Sequence, residues 1–358
     1  MDRQKKTTNL VKNNKNIKKH SKIIKIIAIS IIILVLSALC LFFNSINPAI
    51  INWLKNDFSC VSEKDNLLVH FVDVGQGDAM ALNLPNGKTA IIDTGTANAS
   101  NGLVKYVQEK VVNNKHNDEI DYLVLTHADA DHIGGAVGLL NAFDFKTIFM
   151  PIIESSSATY LNLCAAVEKE NCTVVVNRNQ IELDVGCLLK IFDVLDYSDT
   201  NNTCPLIKLE YMSKSFLFAG DLEAKAEKEY VAMYGEELDV DVLKVAHHGS
   251  KYSTCEEFLA ATTPKYAVIS SGNGNRYGHP HQETVERLSA VGTNIVRTDT
   301  AGNIMFAVGK NYDLDLLTGD YVISGFIFDY RYIVLIADTI LIVEIIIIAT
   351  KKRKIKKT

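Results

Sequence analysis

The segment THADADHIGGA, residues 126–136, places two histidines and two aspartates within six residues, directly after the apolar run DYLVL. Imidazole and carboxylate groups hold zinc, manganese and similar divalent ions in proteins. A turn at the end of a rigid strand can aim such groups at one or two ions, because the strand fixes where they start. The pattern therefore predicts metal ligands at His127, Asp129, Asp131 and His132. The alternative is a helix N-cap made by an aspartate, with surface histidines nearby.

Histidines elsewhere in the chain also occur in pairs at predicted strand ends. Six of the nine histidines form three pairs, and the two pairs outside this segment are His247 with His248 and His279 with His281. Histidines scattered through a core would not group in this way. The run FLFAGD ends another predicted strand with Asp221, whose two carboxylate oxygens could bridge two ions.

Acidic and amide side chains follow two strands nearer the start of the chain. The motifs are FVDVGQGDA and IIDTG, and their polar residues are Asp73, Gln76, Asp78 and Asp93. Strand ends that share one edge of a layered fold converge on one site. We therefore expect these four residues to order the site that the histidines form.

Short apolar runs ended by small or polar residues begin at Leu67 and predict a fold with two β-rich halves. The first half has the predicted strands LLVHFVDV, AMALNL, TAIIDTG, DYLVLTH, TIFMP and TVVVN. The second half has IELDVGCLLKIFDV, PLIKLEYMSKSFLFAGD, DVLKVAHH, YAVISS, NIVRTD and NIMFAVG. Helices are predicted at 102–113, 131–143, 159–170, 222–234, 254–261 and 281–291. This alternation indicates an α+β domain over residues 67–315, with two sheets packed face to face and helices on both outer faces.

The motifs HFVDVGQGDAM, IIDTG, THADADHIGG, FAGD, LKVAHHGS and YGHPH, in this order, resemble the metallo-β-lactamase superfamily. Within it they are most similar to the external hydrolase domain of ComEC-type competence proteins, over about residues 67–309. The resemblance implies an αββα sandwich and a hydrolase with two divalent metal ions. The superfamily's usual HxHxDH motif has Asp129 in place of its second histidine here. The extra oxygen ligand favours Mn²⁺ beside the usual Zn²⁺.

The resemblance also implies roles for individual residues. It implies that His127 and Asp129 hold one metal, that Asp131 and His132 hold the other, and that Asp221 bridges them. His247 and His248 are further ligand candidates, and we expect His247 first because its strand delivers it first. The resemblance implies that Asp93 orders the site by hydrogen bonds. The superfamily often has a further histidine where this chain reads DTNNTCP, and three side chains there could contribute instead: Asn201, Asn202 and Cys204.

The chemistry expected of such a site is hydrolysis. Two ions about 3.5–4 Å apart can lower the pKa of a shared water towards 7, and the resulting hydroxide attacks phosphorus or a carbonyl carbon. Asp131 and His279 are the predicted catalytic residues, the first as a ligand and the second as a donor to the leaving group or a phosphate oxygen. The alternative for His279 is a structural role in the turn around Pro280. For His281 it is a structural role at a helix start.

The run Ile26–Phe43 contains 18 residues without a charge, enough for a helix to span a membrane. It follows residues 1–25, which carry nine Lys or Arg and one Asp, so the tail is expected to stay in the cytoplasm. A cleaved signal peptide and a buried core helix are the alternatives. Residues 44–66 are expected to be a linker. Because the basic tail stays in the cytoplasm, the catalytic domain after this linker is expected on the extracellular side of the cell membrane.

A second apolar run, 332–349, is expected to return the chain to the cytoplasm. Residues 350–358 after it form a basic tail, in agreement with the positive-inside rule. The run contains Asp338 and Glu344, which are costly in a bilayer. An Ile-rich strand or a buried helix is therefore the alternative.

The resemblance implies a DNA substrate, but the charge of the chain is unusual for a nucleic-acid binder. Residues 26–350 hold 22 basic and 41 acidic residues, whereas such proteins usually carry a basic surface. Lys244, Lys251 and Arg276 lie near the motifs and could contact phosphate. The leading hypothesis is a membrane-anchored phosphodiesterase or nuclease acting on single-stranded DNA. The alternatives are a hydrolase of small phosphodiesters of the envelope, such as phosphorylcholine-type esters, and a non-catalytic partner of a competence complex.

Overall fold

The computed structural model describes residues 66–112, 118–176, 178–184, 186–309 and 313–318. All of them belong to one unit, Val61–Ser324. The predicted spans 26–43 and 332–349, both basic tails and the linker up to residue 65 lie outside the described residues. Among the described residues, the helices lack the length and hydrophobicity of a transmembrane span.

The described strands form two sheets. The strands of the eight-stranded sheet are β1 (Leu67–Phe71), β2 (Met80–Asn83), β3 (Thr89–Ile92), β4 (Glu119–Val124), β5 (Asp144–Phe149), β6 (Thr173–Val175), β14 (Ile304–Val308) and β15 (Leu314–Thr318). Their order across the sheet is β15-β14-β1-β2-β3-β4-β5-β6. The strands of the seven-stranded sheet are β7 (Ile181–Asp184), β8 (Leu188–Ile191), β9 (Ile207–Tyr211), β10 (Lys214–Phe218), β11 (Val242–Lys244), β12 (Tyr266–Ile269) and β13 (Asn294–Arg297). Their order is β13-β12-β11-β10-β9-β8-β7.

Helices connect many of these strands, and most of them are short. They are α1 (Ser100–Val107), α2 (Ala130–Ile133), α3 (Ala136–Leu140), α4 (Ala158–Val167), α5 (Ala224–Tyr234), α6 (Glu256–Thr262), α7 (Gln282–Ala290) and α8 (Thr298–Ala301). Helix α1 continues as a π-helical turn, Gln108–Val112. Short 3₁₀ segments lie at Ala97–Ala99, Asn201–Thr203, Gly235–Leu238 and Ala246–Gly249.

Three apolar clusters show how the elements are layered. The central cluster lies between the sheets, where Phe71 of β1 and Phe218 of β10 have ring centroids 6.0 Å apart. A second cluster joins the eight-stranded sheet to α1, α3 and α4, and a third joins the seven-stranded sheet to α5, α6 and α7. In β10 the alternation is direct, because Phe216 and Phe218 face the other sheet while Leu217 faces the helices. The predicted αββα sandwich of the α+β class is confirmed.

Parallel pairing gathers the site residues at one edge. Strands β3 to β6 are parallel in one sheet, and β10 to β13 are parallel in the other. The carboxyl ends of parallel strands meet at the same edge of a sheet. The loops that follow β3, β4, β10, β11 and β12 carry the polar motifs of the sequence.

The structure differs from the sequence prediction at three elements. The predicted helix 131–143 is divided into α2 and α3 at Gly134 and Gly135. The predicted strand DVLKVAHH ends at Lys244, so that both of its histidines lie on a turn. Strand β15 was not predicted, and it pairs with β14 at the edge of the eight-stranded sheet.

At the break between α2 and α3, the backbone of Gly135 lies close to that of Thr94. This contact predicts that a side chain at Gly135 would destabilise the fold. A Cβ at Gly135 would lie 2.2 Å from the backbone oxygen of Thr94, which also donates through its N–H to the His132 carbonyl. We expect Gly135→Ala to lower the free energy of unfolding by about 1–3 kcal/mol, because neither backbone segment can move freely. Urea unfolding of the full chain, followed by circular dichroism, measures this change.

The matched control is Gly102→Ala in α1. Gly102 is exposed, and a Cβ added there would have no other atom within 4 Å. This substitution should raise the free energy of unfolding by about 0.5–1 kcal/mol, since alanine favours a helix interior. Equal effects of the two substitutions would contradict the close approach at Gly135.

Candidate metal centre

Three buried histidines at the common edge are fixed through their Nδ1 atoms. His132 Nδ1 lies 2.8 Å from Asp93 Oδ2, and His248 Nδ1 lies 2.9 Å from the carbonyl oxygen of Ser270. His127 Nδ1 lies 3.0 Å from the hydroxyl of the preceding threonine, which donates its own hydrogen to Asp93. Because each of these partners accepts, each neutral ring carries its proton on Nδ1, and its Nε2 lone pair can bind a metal ion. Metal-ligating histidines are held in this way.

The free Nε2 atoms of the three rings face the carboxylate of Asp221. The distances to its oxygens are 3.2 Å from His132, 3.6 Å from His248 and 4.0 Å from His127. These Nε2 atoms and Asp221 Oδ1 are buried and have no hydrogen-bond partner among the described residues. Buried polar atoms without partners are costly. A divalent ion would satisfy all four, so the donor set fits a metal.

Overlapping groups of ligand atoms extend the centre beyond this first set. Asp131, His132 and His248 form one group, and Asp78, Asp221 and His248 form another, with ligand atoms within 4.8 Å of one another. His248 Nε2 also lies 3.4 Å from Asp131 Oδ2. The overlap offers donors for a second ion beside the first.

The electrostatics of the centre favour a bound cation. Although burial opposes protonation, the carboxylates of Asp221 and Asp93 raise the pKa of His132 well above its usual range. Burial likewise opposes protonation of His248, but Asp221 and Asp78 raise its pKa to about 10. Burial and the positive charge of His132 lower the pKa of His127. The carboxylates thus attract positive charge into the centre, and a divalent ion supplies it more compactly than protons do.

Asp78 is paired with a lysine from the other sheet. Lys244 Nζ lies 2.7 Å from Asp78 Oδ2 and donates to the Val245 carbonyl oxygen at 2.9 Å, and both charged side chains are fully buried. Although burial opposes ionisation, Lys244 and His248 hold the pKa of Asp78 well below its usual range. The phosphate contact suggested for Lys244 by its place in the sequence is wrong, because Asp78 and the core enclose its side chain.

His247 and His248 leave the strand on a left-handed turn. Their φ angles are +49° and +52°, a conformation that non-glycine residues rarely adopt. The turn sends His248 into the buried centre, while His247 stays at the rim with Nε2 3.7 Å from Asp221 Oδ2 and Nδ1 3.8 Å from Glu223 Oε1. The geometry therefore favours His248 over His247 as a ligand. The expectation that the strand would deliver His247 first fails because the strand ends at Lys244.

His279 is half-buried and lies next to both of these histidines. Its ring centroid is 5.6 Å from that of His247 and 6.2 Å from that of His248. Gln76 Oε1 accepts from the Gly272 N–H at 3.2 Å, which turns the amide Nε2 towards His279 Nδ1 at 3.5 Å. Burial and the neighbouring histidines lower the pKa of His279 to about 4.

His281 serves the loops rather than the buried centre. Its Nδ1 accepts from the Lys251 N–H at 3.1 Å, and its own N–H donates to the Gly249 carbonyl oxygen at 2.9 Å. Its ring contacts that of His279, with centroids 4.9 Å apart. Among the described residues, His281 is not part of a group that could hold a metal.

Three further candidates lie outside the ligand groups of the described residues. Asp129 is exposed on one side, with Oδ2 3.9 Å from His127 Nε2. Asp73 is exposed and accepts from the Gly75 N–H at 3.1 Å, so it shapes the turn before Gln76. Cys204 is buried, and its Sγ accepts from the Asp221 N–H at 3.5 Å. Burial and Asp221 raise the pKa of Cys204 well above its usual range, which disfavours the thiolate that a metal requires.

The two asparagines of the DTNNTCP segment support the loop next to Asp221. Asn202 is buried and donates through Nδ2 to Asp199 Oδ1 at 2.9 Å, while its Oδ1 accepts from the Glu223 N–H at 3.2 Å. Asn201 begins the short 3₁₀ segment, and its carbonyl accepts from the Cys204 N–H. Both asparagines thus support the loops around Asp221.

Sequence patterns missed two groups that support the loops of the centre. Thr126 accepts from His127 and donates to Asp93, and its place next to the first histidine of the motif is a usable signal. Glu227 of α5 accepts from the N–H groups of Thr254 and Cys255, at 2.5 and 2.8 Å, and so braces the loop that follows His248. Although these bonds favour the carboxylate, burial raises the pKa of Glu227 to about 7. No local pattern marks Glu227, because it is one acid among several on a helix.

The chain matches a known protein family and several known proteins. The family model described as the metallo-beta-lactamase superfamily matches residues 72–272. The chain is 34% identical over 276 residues to ComE operon protein 3 of Bacillus subtilis, covering 70% of this chain and 34% of that protein. It is 30% identical over 241 residues to Recombination protein 2 of Haemophilus influenzae, covering 66% of this chain and 28% of that protein.

A third relative is Competence protein ComA of Neisseria gonorrhoeae, which is 30% identical over 241 residues, covering 66% of this chain and 32% of that protein. The chain therefore spans about a third of the length of the relatives it matches. The superfamily match covers more than half of the chain and includes both halves of the metal centre. The chain belongs to the metallo-β-lactamase superfamily of metal-dependent hydrolases, and it is similar to competence proteins of the ComEC type.

Proposed function

We propose that the protein is a membrane-anchored, metal-dependent phosphodiesterase that cleaves DNA, as a single strand, outside the membrane. The carrying observation is that three buried histidines, each fixed through Nδ1, present free Nε2 atoms to Asp221. Divalent ions bound there would activate water and neutralise charge on a phosphodiester. Five residues would hold such ions: His127, Asp131, His132, Asp221 and His248.

His279 is suited to contact a phosphate oxygen at the entrance. Because the Gln76 amide donates towards His279 Nδ1, the ring proton is carried on Nε2. That N–H is then available to donate to an oxygen of the substrate or of the leaving group. Gln76 thus sets the tautomer of His279 while remaining outside the ligand set.

Two further observations support a DNA substrate at the membrane. The relatives carry names that refer to competence and recombination, both of which concern DNA. The apolar run Ile26–Phe43 and the basic tails on either side of the chain support an anchored protein whose catalytic domain is extracellular. The run 332–349 would be the second span.

A second candidate function is hydrolysis of small phosphodiesters of the envelope. It is favoured by the acidic composition of residues 26–350, which repels a polyanion more than a single small ester. A non-catalytic role in a competence complex is opposed by the intact set of buried ligand atoms. Such a set is costly to bury when no ion uses it.

A substrate panel separates these functions. We expect the full-length chain, purified in detergent with Mn²⁺ or Zn²⁺, to cleave single-stranded DNA and to lose this activity by at least about 100-fold in Asp131→Ala or His132→Ala. Gel analysis of a labelled oligonucleotide and the absorbance of a chromogenic phosphodiester give the two rates. Turnover of the small ester without DNA cleavage would favour the envelope function. Stable metal binding without turnover of either would contradict both enzymes.

The role of Asp93 predicts a loss of metal affinity. In Asp93→Asn, an NH₂ group would replace an oxygen that accepts from Thr126 or from His132 Nδ1, and the negative charge that holds the His132 ring would be lost. We expect metal affinity and activity to fall about 10–100-fold. Metal content after dialysis at graded free Zn²⁺ or Mn²⁺ measures the affinity. The matched control is Asp144→Asn, at the exposed amino end of β5, which should retain the wild-type affinity. Equal affinities in both variants would contradict the role of Asp93.

A further inference from the structure

A ladder of stacked side chains runs outwards from the metal centre. The His279 ring stacks on Tyr277, with centroids 5.6 Å apart and planes at 23°. His279 also lies next to the rings of His247 and His248, with centroids 5.6 and 6.2 Å away. The guanidinium of Arg276 lies 4.8 Å from the Tyr277 ring centroid, and its Nη2 donates to the Tyr277 hydroxyl at 2.6 Å.

The outer part of this ladder is open to solvent. The Tyr277 side chain is 48% exposed, and Arg276 is exposed beside it. An exposed tyrosine alone is common on a protein surface. The position of this one is informative, because a single histidine separates its ring from the metal ligands. Arg276 also brings positive charge beside this ring.

The loop that presents Tyr277 is held rigidly. Asn275 donates through Nδ2 to the carbonyl oxygens of Gly272 and His279, and its Oδ1 accepts from the N–H groups of Tyr277 and His279. One side chain thus closes the turn from both sides. A ring presented by such a turn loses little conformational entropy when a ligand stacks on it.

An aromatic ring next to a cation is the combination that proteins use to hold single-stranded nucleic acids. The base stacks on the ring, which every base can do, and the cation contacts the backbone phosphate. A ligand can replace both contacts between Arg276 and Tyr277. A base can take the place of the guanidinium over the Tyr277 ring, and a phosphate can replace the Tyr277 hydroxyl as the acceptor for Arg276. A small phosphodiester without a base would gain nothing from the ring.

We propose that Tyr277 and Arg276 form a substrate subsite in which one base of a single strand stacks on Tyr277 and a neighbouring phosphate binds Arg276, beside the phosphate held at the metal centre. This subsite rests on the proposed phosphodiesterase function and names the part of the substrate that the metals do not contact.

The first experiment compares a thymine oligonucleotide with a strand of equal length that carries stable abasic residues, using the full-length chain with Mn²⁺. We expect kcat/KM to be about 10-fold higher for the strand with bases, mostly through KM. Tyr277→Leu should remove this preference, whereas Tyr277→Phe and Tyr277→Trp should keep it. A merely structural role of Tyr277 would lower both rates and leave their ratio unchanged.

The matched control is Tyr252→Leu. Tyr252 is also an exposed tyrosine beside a cation, with Lys251 Nζ 5.3 Å from its ring centroid, but it lines a depression between α5, α6 and α7. This variant should keep the preference for bases. Arg276→Gln should weaken the cleavage of both strands alike. The slope of log(kcat/KM) against the logarithm of the salt concentration should become less steep by about 0.7, as expected for one lost phosphate contact.

The outcomes distinguish the subsite from the function on which it rests. Equal cleavage of both strands by the wild-type chain would overturn the subsite and leave the phosphodiesterase in place. A preference for bases that survives in Tyr277→Leu would also overturn it. Cleavage of neither strand would overturn the subsite together with the proposed function.

Discussion

The structure depends on the burial of three carboxylates at one edge of the sandwich. An ionised carboxylate in a low-dielectric interior is unstable unless charge and hydrogen bonds compensate it. Asp78 is compensated by Lys244, and Asp93 by Thr126 and His132. Asp221 is different, since its main neighbours are the imidazole Nε2 atoms of three histidines, which can hold either protons or a metal ion. A divalent ion between Asp221 and the histidines would supply the compensating positive charge more compactly than protons on the rings do.

The fold brings these groups together because both sheets contribute to the centre. The eight-stranded sheet supplies His127, Asp131 and His132 after β4, and the seven-stranded sheet supplies Asp221 after β10 and His248 after β11. An ion held between ligands from both sheets would bind the folded protein far better than the unfolded chain. Such binding would raise the free energy of unfolding. The need to aim these side chains at one centre also explains the left-handed backbone at Asp93 and His248. Such unusual conformations are typically retained at functional sites.

The sequence predicted the parts of this centre that depend on local order. The motif at residues 126–132 follows a buried strand, so its place at a sheet edge could be predicted from the strand alone. The layered fold could be predicted as well, because alternating strands and helices leave few arrangements. Features that depend on distant pairing could not be predicted. The burial of Lys244 depends on its ion pair with Asp78, which lies far away along the chain, and the choice of His248 over His247 depends on two positive φ angles.

The acidic composition of residues 26–350 limits how the protein could hold a strand of DNA. Most nucleic-acid binders use long-range electrostatic attraction. Residues 26–350 contain nearly twice as many acidic as basic residues, so their net charge would attract a DNA strand weakly or repel it. Affinity would then have to come from contacts that act at short range. Metal ions at Asp221 would provide one such contact, because they neutralise a single phosphate directly. Stacking on Tyr277 would provide another, since it involves no net charge and survives both salt and the surrounding acids. A protein built in this way would hold a strand only at the position where it is cut, and would release the rest of it.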